Sequence, residues 1–195
     1  MKKFLFMICL LIAIANLHST LGLNLSPKGV EKWFKNLSHA KEKMTKFHFY
    51  FHDIVSGNDP SAIQIAQANI TSLSPTSFGL VRMMDNPMTI GPNINSEVNI
   101  EVLIGRAQGI YGFTSFEDRE LLMTFNFVFT QGKYNGSTLS ILGHNRVSRE
   151  YRELPVVGGS GVFRLARGTV TARTYWYNAT TRDVIIECHV IILHY

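Results

Sequence analysis

Apolar and polar positions alternate with a period of two from Lys46 onward, broken at intervals by glycine, asparagine and proline. Phe47, Phe49, Phe51 and Asp53 fall on one face of a first strand, and His48, Tyr50, His52 and Ile54 on the other. Ile63 and Ile65 mark a second strand, while Val98, Ile100, Val102 and Ile104 line one face of another. Met123, Phe125, Phe127 and Phe129 oppose Thr124, Asn126, Val128 and Thr130. The pattern predicts further strands at 78–84, 138–144, 162–166, 169–177 and 184–193, with turn clusters at 56–60, 86–93 and 131–136. About eight antiparallel strands with almost no helix leave two architectures, a sandwich or a barrel. Closure into a barrel removes exposed edges, and eight strands enclose room for one small ligand. Periodicity alone does not choose between them.

Two other compositions precede the strands. Lys2 and Lys3, the apolar run Phe4 to Ala15 and the small residues near Thr20 and Gly22 read as a secretory signal over 1–22, too short for a membrane anchor. No later stretch approaches a membrane span. Residues 23–45 form a polar arm with a weak helical pattern at Val30, Trp33, Phe34 and Leu37, either disordered or packed on the outside of the domain at 46–195. Losing the signal leaves 17 of 19 basic residues against 14 acidic ones, a net charge of +3 (17 − 14). That balance and the absence of any recognition motif argue against nucleic acid.

The signal also removes Cys9, so Cys188 is the single mature cysteine and no intrachain disulfide is expected. It lies in the apolar run at 184–193 and reads as a small buried group, with His189 on the opposite strand face.

The stretch Tyr134 to Gly168 packs Arg146, Arg149, Arg152, Arg164 and Arg167 among short β-prone runs. Gly158, Gly159 and Gly161 read as suppliers of positive φ for a hairpin; a phosphate loop is excluded because no Lys-Ser/Thr follows them. Asp53 continues a face of three phenylalanines, where desolvation favours the acid form and suits a general acid. By residue chemistry alone it is equally a cap for the turn Ser56-Gly57-Asn58. No histidine set has cupin spacing, His48 and His52 sit on an outer face, and no flavin or nicotinamide signature occurs, so neither metal nor cofactor is expected.

Taken as a whole string, Tyr134–Gly168, together with FHFYFHDI (Phe47–Ile54), GRAQG (Gly105–Gly109) and the final LHY (Leu193–Tyr195), resembles the plant dirigent proteins. The resemblance runs from about Lys46 to Tyr195. It implies an all-β fold, an eight-stranded antiparallel β-barrel with a central cavity of the allene oxide cyclase-like type, assembled as a trimer, or otherwise a dimer. It also implies that Asp53, Tyr111, Arg152 and Thr174 reach the cavity, with Phe49 and Phe51 as aromatic wall. Thr174 shares a predicted face with Val170, Ala172 and Trp176. Lignan-forming members carry an aspartate where this chain has Asn145, an amide that exchanges hydrogen bonds but is no acid. In that respect the chain resembles a branch containing isoflavanol dehydratases that form pterocarpans.

The resemblance implies a secreted, apoplastic protein that steers coupling of monolignol radicals, such as those of coniferyl alcohol, made by a separate oxidase or peroxidase. A pocket of that kind works by orientation. The alternatives are an isoflavanol dehydratase, and a non-catalytic phenol-binding or wall protein. Sequons at Asn24, Asn36, Asn69, Asn135 and Asn178 predict a glycoprotein beginning near Leu23. Enzymatic deglycosylation of plant-expressed protein should lower its mass by several kilodaltons; an unchanged mass would reduce those asparagines to ordinary loop residues.

Overall fold

A computed structural model describes residues 24–93 and 103–195. The signal at 1–22 and the predicted positions Val98, Ile100 and Val102 lie outside the described residues. Helix α1 (Pro27–Asn36) starts where Ser26 Oγ accepts from the Gly29 amide at 3.2 Å and Pro27 supplies a pre-set φ. None of its residues is buried. It meets the barrel where the Arg164 guanidinium lies 4.8 Å from the centroid of the Trp33 ring.

Nine strands follow among the described residues, the first beginning three residues before the predicted start: β1 (Lys43–Asp53), β2 (Ala62–Ala66), β3 (Val81–Thr89), β4 (Leu103–Phe113) and β5 (Glu120–Phe129). The others are β6 (Thr138–Arg146), β7 (Arg152–Ser160), β8 (Arg167–Tyr177) and β9 (Val184–His194). Eight of them close a ring in the order β1-β9-β8-β7-β6-β5-β4-β3, antiparallel throughout. The ring shuts where Tyr50 and Phe51 of β1 pair with Thr89 and Met88 of β3. The remainder of that β3 edge is taken by β2, with Ala62 opposite Met84. β1 and β2 thus act as one line interrupted by an excursion at 54–61.

That interruption is stitched by polar groups. The amides of Ser61 and Ala62 both donate to the Ile54 carbonyl, at 2.8 and 2.9 Å. Ser61 Oγ lies within hydrogen-bond distance of the His52 carbonyl at 2.9 Å and of Asn86 Oδ1 at 2.7 Å. Asn86 is fully buried, and its Nδ2 donates to Asp53 Oδ1 at 3.2 Å. The turn after β1 is held by Asp183, whose carboxylate accepts from the Val55 and Ser56 amides and from Ser56 Oγ. Asp53 is therefore released from the capping role its position allows.

Inward side chains fill the barrel unequally. At one end Phe47, Phe129, Tyr134 and Phe163 form a plug, Tyr134 and Phe163 having centroids 4.9 Å apart. Beneath it Phe49 meets Phe127 edge-on at 4.9 Å, both fully buried. Each such ring contributes about 1.5–3 kcal/mol on burial. Gly109 permits the tight approach of β4 to β5, since a Cβ there would stand 2.3 Å from the Thr124 carbonyl oxygen.

Several predicted elements differ, and the strand read up to Ile104 continues as β4 to Phe113. The strand predicted at 78–84 begins instead at Val81 and runs through Asn86 and Pro87, because the ladder with β4 continues past both and β1 takes the other edge at Met88 and Thr89. Phe78 lies before it, stacked on Phe116 at 3.8 Å. The predicted strand at 162–166 is a short helical turn (Gly161–Phe163), and β7 occupies the preceding segment. Gly158 and Gly159 are extended within β7; of the three glycines only Gly161 has positive φ, at 64°.

The outer face of β1 is solvated only in part: His48 is exposed there, whereas His52 is fully buried. Thr89 Oγ1 donates to the Gly91 carbonyl at 2.6 Å, so it accepts from His52 Nε2–H at 2.7 Å and leaves Nδ1 bare and unprotonated. Burial holds this imidazole down at about 4, against an ordinary 6.5. Between those values the unfolded chain binds more protons, so stability should fall as pH drops from about 6.5 to about 4. Urea denaturation at the two ends of that window should show a loss of roughly 1–3 kcal/mol from this group. His52→Gln should flatten that part of the profile; an unchanged slope in the variant would refute the assignment.

Candidate functional site

The end of the barrel away from the aromatic plug holds a cavity of about 560 Å³. Phe51, Met84, Leu121, Met123 and Ile186 supply its apolar wall. Six of its polar positions come from separate strands: Asp53 on β1, Arg82 on β3, Tyr111 on β4, Asn145 on β6, Arg152 on β7 and Thr174 on β8. Strand parity selects them, since each continues the inward-facing row of its own strand.

They form two groups. Asp53, Arg82 and Tyr111 stand on the neighbouring strands β1, β3 and β4, and Asn145, Arg152 and Thr174 on β6, β7 and β8. Three strands separate β3 from β7 by either route around the ring, so the two groups occupy opposite walls.

In the first group Tyr111 is buried and its hydroxyl donates to Asp53 Oδ2 at 3.0 Å. Burial raises the Asp53 carboxyl above its ordinary range. Hydrogen bonds from Tyr111 and Asn86 and the Arg82 charge pull against that rise, and the Asp183 charge adds to it. The Tyr111 phenol is raised well above its normal value, by burial first and by the Asp53 charge second. Both groups are thereby biased to keep their protons.

In the second group Arg152 is only 5% exposed. Its Nη1 donates to Thr174 Oγ1 at 2.8 Å, its Nε has no hydrogen-bond partner among the described residues, and no described carboxylate pairs with it. Burial lowers it from the ordinary guanidinium value, yet an arginine in protein keeps its charge. A buried cation without a counter-ion is costly and gains from any anionic ligand oxygen. Asn145 is buried beside it, with Nδ2 on Met123 Sδ at 3.0 Å and Oδ1 unpartnered.

Asp53, Tyr111, Arg152, Thr174, Asn145 and Phe51 all line the cavity. Phe49 does not; it belongs to the packed layer against Phe127. Nor does Trp176, because a bulge after Thr174 shifts the register and turns Tyr177 inward in its place. Arg82 is the residue that sequence reasoning missed. Its inward parity on β3 was the available signal, obscured because the strand was predicted three residues early.

Cys188 is fully buried, and burial pushes its thiol far up, which makes it inert. On the outer wall His48, Glu187 and His189 bring their ligand atoms within 4.8 Å of one another. The Glu187 oxygens are already engaged by His48 at 2.8 Å, by Tyr50 at 3.2 Å and by Arg173. Burial alone would raise this carboxyl, but those hydrogen bonds outweigh it and hold Glu187 at about 2.

A family model for Dirigent-like protein matches residues 44–193. Dirigent protein 21 of Arabidopsis thaliana is 45% identical over 80% of this chain and 80% of its own length. Pterocarpan synthase 1 of Glycyrrhiza echinata is 42% identical over 82% of both chains. The solved structure of a pterocarpan synthase dirigent protein superposes with a TM-score of 0.72 at 43% identity, covering 80% of this chain and 87% of that one.

NMR titration of carboxyl-labelled protein should find Asp53 above the usual aspartate range. Tyr111→Phe deletes a donor to the carboxylate and should raise it further. A lower value in the variant would contradict the hydrogen-bond assignment.

Proposed function

The chain belongs to the dirigent family, and on that premise we propose that its pocket binds para-hydroxyphenylpropanoids and governs the reactive intermediate formed from them. The observation that supports this reading is the opposition of Asp53 and Arg152 across one cavity: a carboxyl that burial biases toward its acid form stands opposite an unpaired cation. Two phenoxy radicals, already oxidised by a separate oxidase or peroxidase, couple in the pocket with no further loss of electrons. In the resulting quinone methide a side-chain hydroxyl adds to the methide carbon, losing its proton while the ring oxygen becomes a phenolate and then a phenol. Arg152 stabilises that oxygen, and Asp53 with Tyr111 handles the proton. Facial selection follows from placement: a difference of ~1.4 kcal/mol gives about tenfold enrichment.

Asn145 and the similarity to pterocarpan synthases favour a second reading, dehydration of an isoflavanol. There Asp53 gives its proton to the leaving hydroxyl, water departs, and Arg152 holds the phenolate that expels it. In both readings the protein acts after secretion as a glycosylated homo-oligomer, a trimer by family resemblance. The exposed apolar residues Ile63, Ile65 and Met83, clustered on β2 and β3, support such an assembly.

Purified protein alone should leave coniferyl alcohol unchanged, and with a one-electron oxidant it should enrich one enantiomer of the coupled product. Asp53→Asn and Arg152→Met should abolish that enrichment while the denaturation midpoint stays near wild type. Racemic coupling by the wild type, together with loss of water from an isoflavanol without oxidant, would replace the first reading by the second. Full selectivity in both variants would remove these residues from the mechanism.

A further inference from the structure

A phenol with a neutral side chain asks for one cation, at its phenolate. The cavity offers four arginines, Arg82, Arg119, Arg152 and Arg182, against the two carboxyls Asp53 and Asp118. None of the four makes an ion pair among the described residues. Asp183, the further carboxylate close enough to influence Asp53, is bound to Val55 and Ser56. The cavity therefore carries an excess of positive charge that the coupling or dehydration of a neutral molecule leaves unused.

The arrangement of that charge is specific. Arg82 stands directly across the ladder from Tyr111, whose phenol it supports by a side-chain hydrogen bond; its charge acts on Asp53, and its Nε is buried without a hydrogen-bond partner. Arg152 stands between Asn145 and Thr174 on the opposite wall, likewise with a bare Nε. Met84, Met123 and Ile186 supply apolar surface in the same cavity. A guanidinium presents a planar fork that matches a carboxylate in two hydrogen bonds. Arg119 and Arg182 come from the loops 114–119 and 178–183 at the open end, where positive charge draws an anion inward.

We propose that the pocket is built for a bipolar ligand, a phenol whose ring oxygen rests on Arg152 and whose side chain ends in a carboxylate received by Arg82. This deepens the phenol-pocket reading above and rests on it. The orientation agrees with the chemistry there, since it sets the side chain against Asp53 and Tyr111, where the proton is handled. It also gives discrimination: a neutral terminus offers the unpartnered Arg82 Nε no charge-assisted hydrogen bond.

Binding of ferulic acid, its methyl ester and coniferyl alcohol separates charge from ring and size. Isothermal titration near pH 6.5 should give the acid at least tenfold tighter than the ester or the alcohol. That preference should shrink as ionic strength rises, whereas ester binding should not change. Arg82→Met should bring the acid to the level of the ester; Arg82→Lys should restore part of the difference. Arg152→Met should weaken all three ligands. Equal wild-type affinities for acid and ester, or a preference surviving in a folded Arg82→Met, would overturn the proposal while leaving the phenol pocket intact. Should Arg82→Met fail to fold, the acid-to-ester ratio and its salt dependence in wild type still decide. Binding of none of the three would overturn the pocket reading itself, and this one with it.

Discussion

Closure of the ring between β1 and β3 is the constraint on which the site depends. Direct pairing there spans only Tyr50–Phe51 against Met88–Thr89, and the joint is completed by β2, by backbone bonds at Ser61 and by side chains. Asn86 carries most of that burden: a buried amide that engages Ser61 through its oxygen and Asp53 through its nitrogen. An unsatisfied amide at such a depth would cost about 1–3 kcal/mol, so closure and the placing of Asp53 are one event. Had β1 run on into β2 without interruption, no carboxyl would be offered to the cavity in this attitude. The excursion at 54–61 breaks the line, and Asp183 holds the turn in its stead.

Much of the architecture was legible from alternation alone. β1, β5, β6, β8 and β9 follow their hydrophobic period closely, because each has one face in a packed interior. β7 was hidden by Pro155 and by Gly158 and Gly159, residues that read as turn. Its inward row of Arg152, Leu154 and Val156 opens with a charge, which weakens the apolar signal further. Parity errors propagated from such places. An early start for β3 concealed Arg82, and a bulge at Tyr175 exchanged Trp176 for Tyr177. Local pattern cannot register a one-residue slip, yet that slip decides which side chain meets a ligand.

The site itself divides along similar lines. Asp53 was open to two roles by residue chemistry, and family resemblance favoured the cavity. The physical reason becomes visible only when Asp183, distant in sequence, takes the capping role. Phe49 illustrates the opposite outcome. It shares a face with Phe51 and Asp53, but the barrel is filled to its depth, so facing inward is not the same as facing a ligand.

The aromatic plug has a kinetic meaning as well as a structural one. With Phe47, Phe129, Tyr134 and Phe163 packed across one end, the cavity communicates with solvent from the other. Whatever enters must leave by the same door. A vessel of this kind turns over by exchange at its mouth, and a bulky product delays the next arrival. The residues stationed at that mouth are Asp118 and Arg119 on one loop and Arg182 on another, so exchange runs past charged side chains.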